Sequence, residues 1–378
     1  MFRRLLLVLL AGLMLLSVAA CGQGGAEDAT QEPTSSTTES ATQTPAAGTA
    51  GTAATQNPGT TVNPTQNATS KPSAGQTTAP TAKPTEEPIV GGTLYQLADS
   101  KGSQMNSYVI QTENNKVIIM DGGYDRNKQD LINLAKEITG QAVPEIEAWI
   151  FSHTHSDHVN AFSSMFNESS TKNALNVKKL YYNITSREYI AKVENESSWE
   201  GAYKTYDNFV KALNTFPSSK RVVVQQGDVI TIDGIKIEVM LVPDETVGYN
   251  GSGLNDASVI YRVTIGGQRI LFLGDGYKSC ASRLYKAYKN DFTADVVQMS
   301  HHGSQGFDKA YYKRIAPKAC LWPSPQFMWA DENQIKNDGG YELETVELHR
   351  YMRYELNVKY HYMTKDGNIK LEFPLDLK

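Results

Sequence analysis

The chain has few cysteines and no dense basic segment, and each lack excludes a class of protein. Three cysteines among 378 residues are too few for a small scaffold held together by disulfides. A formal net charge of -5 without a run of Lys and Arg argues against tight non-specific binding to nucleic acid. The composition therefore favours an ordinary folded domain.

Apolar residues are also missing from one long segment. Residues 22–88 contain no aromatic residue and no Leu, Ile, Met or Cys, and Val62 is their only large aliphatic. Such a segment cannot bury enough apolar surface to fold. All Tyr and Trp lie from Tyr95 onward. We therefore predict a flexible Thr/Ser/Pro/Ala-rich linker over 21–89 and one large domain over 90–378.

The N-terminus has the features of a targeting segment. Two arginines precede an apolar run over 5–16, which is short for a membrane span and ends in small residues. This pattern predicts a signal peptide over 1–20. The tetrapeptide V-A-A-C ending at Cys21 resembles a bacterial lipobox. That resemblance implies lipidation of Cys21 and an extracytoplasmic domain anchored to the bacterial membrane; the alternative is ordinary cleavage that leaves a free cysteine.

Strand-like and helix-like patterns alternate through the large domain. Apolar runs and period-two alternation predict strands, and three- to four-residue spacing predicts helices. Many strands with interspersed helices indicate a layered α/β architecture. The predicted strands cover 93–97, 107–111, 116–120, 147–151, 221–224, 236–242, 257–265, 269–273, 294–299 and 319–322, the helices cover 131–138, 310–315 and 343–354, and a last hairpin is centred on Asp366 and Gly367.

Histidines are concentrated in two short segments. Five of the seven lie in H-T-H-S-D-H, at 153–158, and in the pair His301 and His302. Because alternate residues of an extended segment point the same way, His153, His155 and Asp157 can converge, and His158 can join them where a helix begins. Imidazole and carboxylate ligands suit a borderline divalent ion. Four such residues in one short segment predict a site for two ions.

Four motifs in order resemble those of the metallo-β-lactamase-fold hydrolase superfamily. They are D-G-G from Asp121, H-x-H-x-D-H from His153, L-G-D ending at Asp275, and S-H-H-G-S around His301. The resemblance covers nearly the whole of residues 90–378 and implies an αββα sandwich with a two-metal site at one edge. More narrowly, the N-D-A-S segment before a strand is similar to the hydrolase domain of ComEC-like DNA-uptake proteins and to bacterial phosphorylcholine esterases.

The resemblance also implies roles for single residues. It gives one ion to His153 and His155, the second to Asp157, His158 and one of the adjacent histidines, and a bridging position to Asp275. Many superfamily members have a further histidine ligand, but this chain has none between His158 and His301, so Asp256 of the N-D-A-S segment is expected there. We favour His301 as the ligand and His302 as the proton donor, with the reverse assignment left open. Asp121 is expected to be a turn or supporting residue.

The implied reaction is hydrolysis assisted by two divalent ions, Zn²⁺ or Mn²⁺. Asp157, Asp275 and His302 are expected to be catalytic, and the preferred substrate is a small or polymeric phosphoester, with nucleic acid only as a substrate. Alternatives are a hydrolase of the same fold acting on a lactone, ester or β-lactam, and a non-catalytic surface lipoprotein. The oligomeric state is not indicated. Aromatic residues over 181–216 either pack a helical cap or line the cleft, and Cys280 and Cys320 are expected to be buried, with a disulfide left open.

Overall fold

The computed structural model describes residues 89–246, 253–329 and 344–378. The predicted signal peptide, Cys21 and all of the linker up to residue 88 lie outside the described residues, so these assignments stay predictions. Among the described helices, none combines the length and the apolar character needed to cross a bilayer.

Two mixed β-sheets form the centre of the described part of the chain. The first has eight strands in the order β15-β1-β2-β3-β4-β6-β7 with β5 beside β4, and the second has seven in the order β14-β13-β12-β11-β10-β9-β8. The first sheet contains β1 (Gly92–Gln96), β2 (Ser107–Thr112), β3 (Val117–Asp121), β4 (Glu145–Ile150), β5 (Asn176–Val177), β6 (Leu180–Tyr182), β7 (Arg221–Val223) and β15 (Ile369–Phe373). The second contains β8 (Val229–Ile232), β9 (Ile235–Leu241), β10 (Ile260–Ile265), β11 (Gln268–Phe272), β12 (Val296–Gln298), β13 (Ala319–Trp322) and β14 (Tyr360–Met363).

Helices cover the outer face of each sheet. Residues from both sheets, such as Ile118 and Val263, share one apolar cluster between them. A second cluster joins the first sheet to its helices through residues such as Phe162, and a third does the same for the second sheet through Leu284. The helices are α1 (Lys128–Thr139), α2 (Ser156–Asn167), α3 (Arg187–Val193), α4 (Trp199–Leu213), α5 (Lys278–Tyr288), α6 (Lys309–Ile315) and α7 (Glu344–Arg350). These four layers confirm the predicted αββα sandwich.

One predicted connection was wrong. The two strands that flank Asp366 and Gly367 do not pair as a hairpin, because β14 pairs with β13 and β15 pairs with β1. The segment between them therefore crosses from one sheet to the other. Local sequence shows a turn between two strands, but only the tertiary structure determines which neighbour each strand pairs with.

The insertion over 181–216 is mainly a packing element. Tyr189 and Phe209 are buried, and the side chains of α3 form a small apolar cluster with Leu254 and Ala257. The packing interpretation is thus confirmed for these aromatic residues. Cys280 and Cys320 are both buried and free, so no disulfide joins them.

A buried carboxylate fixes the loop after β3, which packs against the start of α2. Asp99 accepts hydrogen bonds from the Arg126 Nε and Nη2 atoms at 2.7 and 2.8 Å and from the side-chain amide of Asn127. Gly123 of the same loop donates to the backbone oxygen of His158. Asp99 therefore helps to hold one end of the H-T-H-S-D-H segment in place.

Replacing Asp99 with Asn is expected to lower the free energy of unfolding by about 2 kcal/mol at neutral pH, because charged hydrogen bonds are lost. Burial would raise the pKa of Asp99, but Arg126, Ser103 and Asn127 hold it at about 2. Since the folded pKa lies below the unfolded one, this stabilisation is complete above about pH 4 and disappears as the pH falls towards 2. Urea unfolding of both proteins at several pH values checks this; a difference that stays constant with pH would contradict it.

Candidate metal centre

The side chains of the site lie at one edge of the sandwich. Asp121 is the last residue of β3, and the H-T-H-S-D-H segment follows β4. Asp275 follows β11, and the adjacent histidines follow β12. Because β3 and β4, and likewise β11 and β12, run parallel, these strand ends meet at the same edge. This is where α/β sheets usually place their functional groups.

The structure brings six of the predicted site residues together. Among the described residues, Asp157, His158, Asp275 and His302 form one group whose potential ligand atoms all lie within 4.8 Å of one another, and His153, His155 and Asp275 form a second. Asp275 belongs to both groups, which is the position expected of a bridging carboxylate. The assignment of these residues as ligands remains a prediction, but their arrangement is that of a candidate centre for divalent metal ions.

The imidazole nitrogens test whether metal ions would fit. In three of the four clustered histidines Nδ1 contacts a partner outside the cluster: Nδ1 of His153 contacts Ser152 and Ser258, Nδ1 of His158 contacts Asp121, and Nδ1 of His302 contacts the Pro323 oxygen. The Nε2 atoms of His153 and His302 are buried without a hydrogen-bond partner. Buried ring nitrogens without partners are costly unless a ligand satisfies them, so the donor set fits a metal.

The close contacts are not arranged as ordinary hydrogen bonds. Nε2 of His302 lies 3.0 Å from Oδ2 of Asp157 and 3.3 Å from Oδ2 of Asp275, yet it forms no hydrogen bond of acceptable geometry. Nε2 of His158 lies 3.2 Å from the same Asp275 oxygen. Several donor atoms that face a common point, and only partly satisfy one another, are typical of ligands around an ion.

The charges of the first group support one another in a buried environment. Burial lowers the pKa of His302, but Asp275 and Asp157 raise it more, to about 9. Burial also opposes charge on Asp275, yet His158 and His302 hold its pKa well below the usual range. Burial and the nearby histidines lower the pKa of His153 well below its usual value. Buried carboxylates and imidazoles that lie this close together are a donor set that divalent ions can bind.

Several supporting residues were not found from the sequence. Oγ of Ser152 lies 2.8 Å from Oδ2 of Asp121 and 3.1 Å from Nδ1 of both His153 and His158. The side-chain amide of Asn106 donates to Oδ1 of Asp275 at 3.0 Å. No motif marks Ser152 or Asn106, because isolated Ser and Asn residues are common at strand ends. Asp121, by contrast, has the supporting role that was expected, since its Oδ2 lies 2.8 Å from Nδ1 of His158.

The structure places the two adjacent histidines in different surroundings. Both residues have left-handed backbone conformations, with φ of 48° at His301 and 57° at His302. The ring of His302 is buried inside the first group. His301 instead lies against the hydroxyl of Tyr277, and its Nδ1 contacts the backbone oxygen of Ser304. The geometry therefore favours His302 as the ligand, which is the alternative left open from the sequence.

Asp256 also lies differently from its predicted position. Its Oδ1 accepts the backbone N–H groups of Tyr277 at 2.7 Å and Cys280 at 2.9 Å, at the start of α5, and it belongs to neither ligand group. A carboxylate at a helix N-terminus is stabilised by the unpaired N–H groups there. The N-D-A-S segment contributes to the site through Ser258, whose Oγ contacts His153 and accepts the Asp275 N–H. A Cβ at Gly274 would lie 2.8 Å from this Oγ, and φ of this glycine is +54°, so glycine is required there.

Comparison with known proteins places the chain in a family. The profile of the metallo-beta-lactamase superfamily matches residues 101–307. The metallo-beta-lactamase fold protein YhfI from Bacillus subtilis is 12% identical, over 74% of this chain and 99% of its own, with a TM-score of 0.42. A diphosphatase of the PhnP family is 13% identical, over 76% of this chain and 100% of its own, with a TM-score of 0.40. No curated protein matches.

A superfamily profile that spans more than half of the chain, together with the sandwich and its edge site, defines the class of protein. The chain belongs to the metallo-beta-lactamase superfamily. The membership points to a metal-dependent hydrolase and agrees with the candidate metal centre.

Proposed function

We propose that this protein is a cell-surface lipoprotein that hydrolyses phosphoesters, most readily phosphodiesters, with two divalent ions. The observation that carries the proposal is the double group of buried donors that shares Asp275. Two ions bound there would activate water and stabilise the charge that develops on the attacked phosphorus. Six residues would hold them: His153, His155, Asp157, His158, Asp275 and His302. Zn²⁺ and Mn²⁺ both suit a set of four imidazoles and two carboxylates.

The charge of the site is compatible with an anionic substrate. Two divalent ions bring four positive charges, and two carboxylates, Asp157 and Asp275, lie among the clustered donors. Two more carboxylates, Asp121 and Glu194, lie beside His158 and His155. The assembled site would therefore be close to neutral, and a site that is not strongly anionic can accept a phosphate ester.

Polar groups beside the donors provide contacts for a substrate. The hydroxyl of Tyr277 lies 3.2 Å from Nδ1 of His301 and 3.3 Å from Oε1 of Gln305. Burial raises the pKa of Tyr277 to about 12, so this hydroxyl keeps its proton at neutral pH. We assign Tyr277 and His301 to binding the substrate and supplying a proton to the leaving group.

The location at the membrane is part of the proposal and is supported by the sequence alone. Cys21 would carry the lipid anchor, and residues 22–88 would connect it to the hydrolase domain. Globomycin, which blocks processing of lipoprotein precursors, is expected to cause accumulation of a heavier form in the expressing bacterium, and Cys21→Ser is expected to release the protein from the membrane fraction. If no heavier form accumulated under globomycin and Cys21→Ser stayed in the membrane fraction, the lipid anchor would be contradicted.

The substrate class is tested with the purified full-length chain in detergent. We expect Mn²⁺- or Zn²⁺-dependent hydrolysis of bis(p-nitrophenyl) phosphate, at a kcat/KM at least about tenfold above that for p-nitrophenyl acetate, a lactone or nitrocefin. EDTA should remove the activity, and added metal should restore it. Turnover of the carbon-centred substrates alone, by protein shown to hold two ions, would contradict the phosphoester assignment. Two bound ions with no turnover of any substrate would favour a binding protein.

A further inference from the structure

Glu194 is a carboxylate from the insertion that reaches the metal centre. It directly follows α3, and its N–H donates to the oxygen of Ile190 at 2.9 Å. Its side chain turns inward and is only 13% exposed. Oε1 of Glu194 lies 3.6 Å from Nε2 of His155, a residue of the second ligand group. Nothing in the sequence singled out Glu194, which lies 39 positions from His155.

The backbone of Gly253 and Leu254 holds the Glu194 carboxylate in place. Oε1 accepts the backbone N–H of Leu254 at 2.6 Å. A Cβ on Gly253 would lie 2.0 Å from the same oxygen, so only glycine leaves room for this contact. Ile190 and Val193 of α3 pack with Leu254 and Ala257. This packing fixes the helix against the segment whose N–H group binds the carboxylate. The position of Glu194 is therefore set by backbone contacts and packing.

Within the described part of the chain, Glu194 is the partner outside the cluster that lies nearest to the ring of His155 among its ion-pair contacts. The imidazoles of His153, His158 and His302 are each held through Nδ1. With Nε2 of His155 directed at Glu194, the ring nitrogen left to face His153 and Asp275 is Nδ1. A carboxylate that accepts the N–H of a metal-binding imidazole fixes its tautomer and orientation and makes it a better ligand.

We propose that Glu194 is a positioning residue that orients His155 with Nδ1 towards the metal centre, so that the insertion controls the affinity for one of the two ions. This inference rests on the proposed two-metal site. It assigns no ligand role to Glu194 and concerns only the ion that His153 and His155 would hold. Loss of Glu194 is therefore expected to lower the affinity for this ion and to leave the affinity for the other ion unchanged.

The test compares Glu194→Ala, Glu194→Gln and Glu196→Ala in the full-length chain. Glu196 is an exposed glutamate two positions further on, so Glu196→Ala is the matched control. Zn²⁺ affinities are measured by competition with a chromophoric chelator, and Co²⁺ spectra report the geometry at each ion. We expect Glu194→Ala to lower the affinity for one ion about 10- to 100-fold and to change the Co²⁺ spectrum of that ion's site. Glu194→Gln should recover much of the affinity and of the spectrum, because its amide oxygen can still accept the Leu254 N–H and face Nε2 of His155.

The outcomes separate this inference from the proposed function. If the unmodified protein binds fewer than two ions, the two-metal site itself is wrong and the inference fails with it. If the unmodified protein and Glu194→Ala bind two ions equally well, only the role of Glu194 is overturned. If Glu194→Ala lost affinity for one ion and Glu194→Gln did not recover it, Glu194 would be a direct ligand. That result would also overturn the positioning role. Circular dichroism of the metal-free variants confirms that each is folded.

Discussion

Replacing Asp275 with Asn is expected to lower kcat/KM for bis(p-nitrophenyl) phosphate by at least about a thousandfold, which corresponds to about 4 kcal/mol of transition-state stabilisation. Asp275 is the residue shared by both ligand groups, and its Oδ2 lies within 3.3 Å of Nε2 in both His158 and His302. Asn has the same shape but no charge, so it should also reduce the metal content below two ions per chain. Metal analysis after dialysis and steady-state kinetics measure the two effects.

Asp376→Asn is the matched control for this prediction. Asp376 is an exposed aspartate near the C-terminus, and it forms an ion pair with the surface residue Lys378. It should keep full activity and both ions. If Asp275→Asn kept the activity and metal content of the unmodified chain, Asp275 could not bridge two ions, and the proposed site would have to be abandoned.

The adjacent histidines are expected to respond differently to substitution. His302→Ala should lose one ion and at least about a thousandfold in kcat/KM, because His302 is buried with its Nε2 facing Asp157 and Asp275. His301→Ala should retain both ions and lose at least about 100-fold in kcat, since His301 contacts Tyr277 at the edge of the centre. Metal content therefore distinguishes the two roles more clearly than activity does.

Two further variants make this comparison decisive. His302→Gln leaves less empty space than His302→Ala. If both variants lose an ion, the cause is removal of the ligand and not a collapse of the buried site. Tyr277→Phe should resemble His301→Ala if the two side chains act together on the substrate. Loss of an ion from His301→Ala, with both ions retained in His302→Ala, would restore the assignment first favoured from the sequence.

Much of the fold followed from local sequence patterns. Apolar runs such as 116–120 and 147–151 predicted β3 and β4 within one or two residues, and the motif that follows β4 predicted a cluster of imidazole and carboxylate side chains. This worked because the period of two in a strand and the order of the four motifs are properties of the chain itself. The sequence did not show that the segment with Asp366 and Gly367 crosses from one sheet to the other, because a turn signal does not specify which strands pair.

The residues that the structure places differently from expectation show where sequence reasoning ends. Asp256 is available as a ligand on the basis of residue type and order, but in the folded chain it meets the start of α5, where free N–H groups bind it. His301 and His302 are neighbours of identical chemistry, and only the left-handed turn that contains them determines which ring is buried. In both cases, backbone geometry decides between residues that the sequence cannot distinguish.

The sequence by itself determined the extent of the apolar-poor segment, the layered α/β class and the residue types of the candidate metal centre, because composition, periodicity and motifs can be read along the chain. The tertiary structure decided which donors share one centre, that Asp275 stands between the two groups, and that Ser152, Asn106 and Glu194 surround them. The physical reason is that a metal centre is assembled from segments far apart along the chain. The distances among their side chains are set only when the two sheets and the insertion pack together.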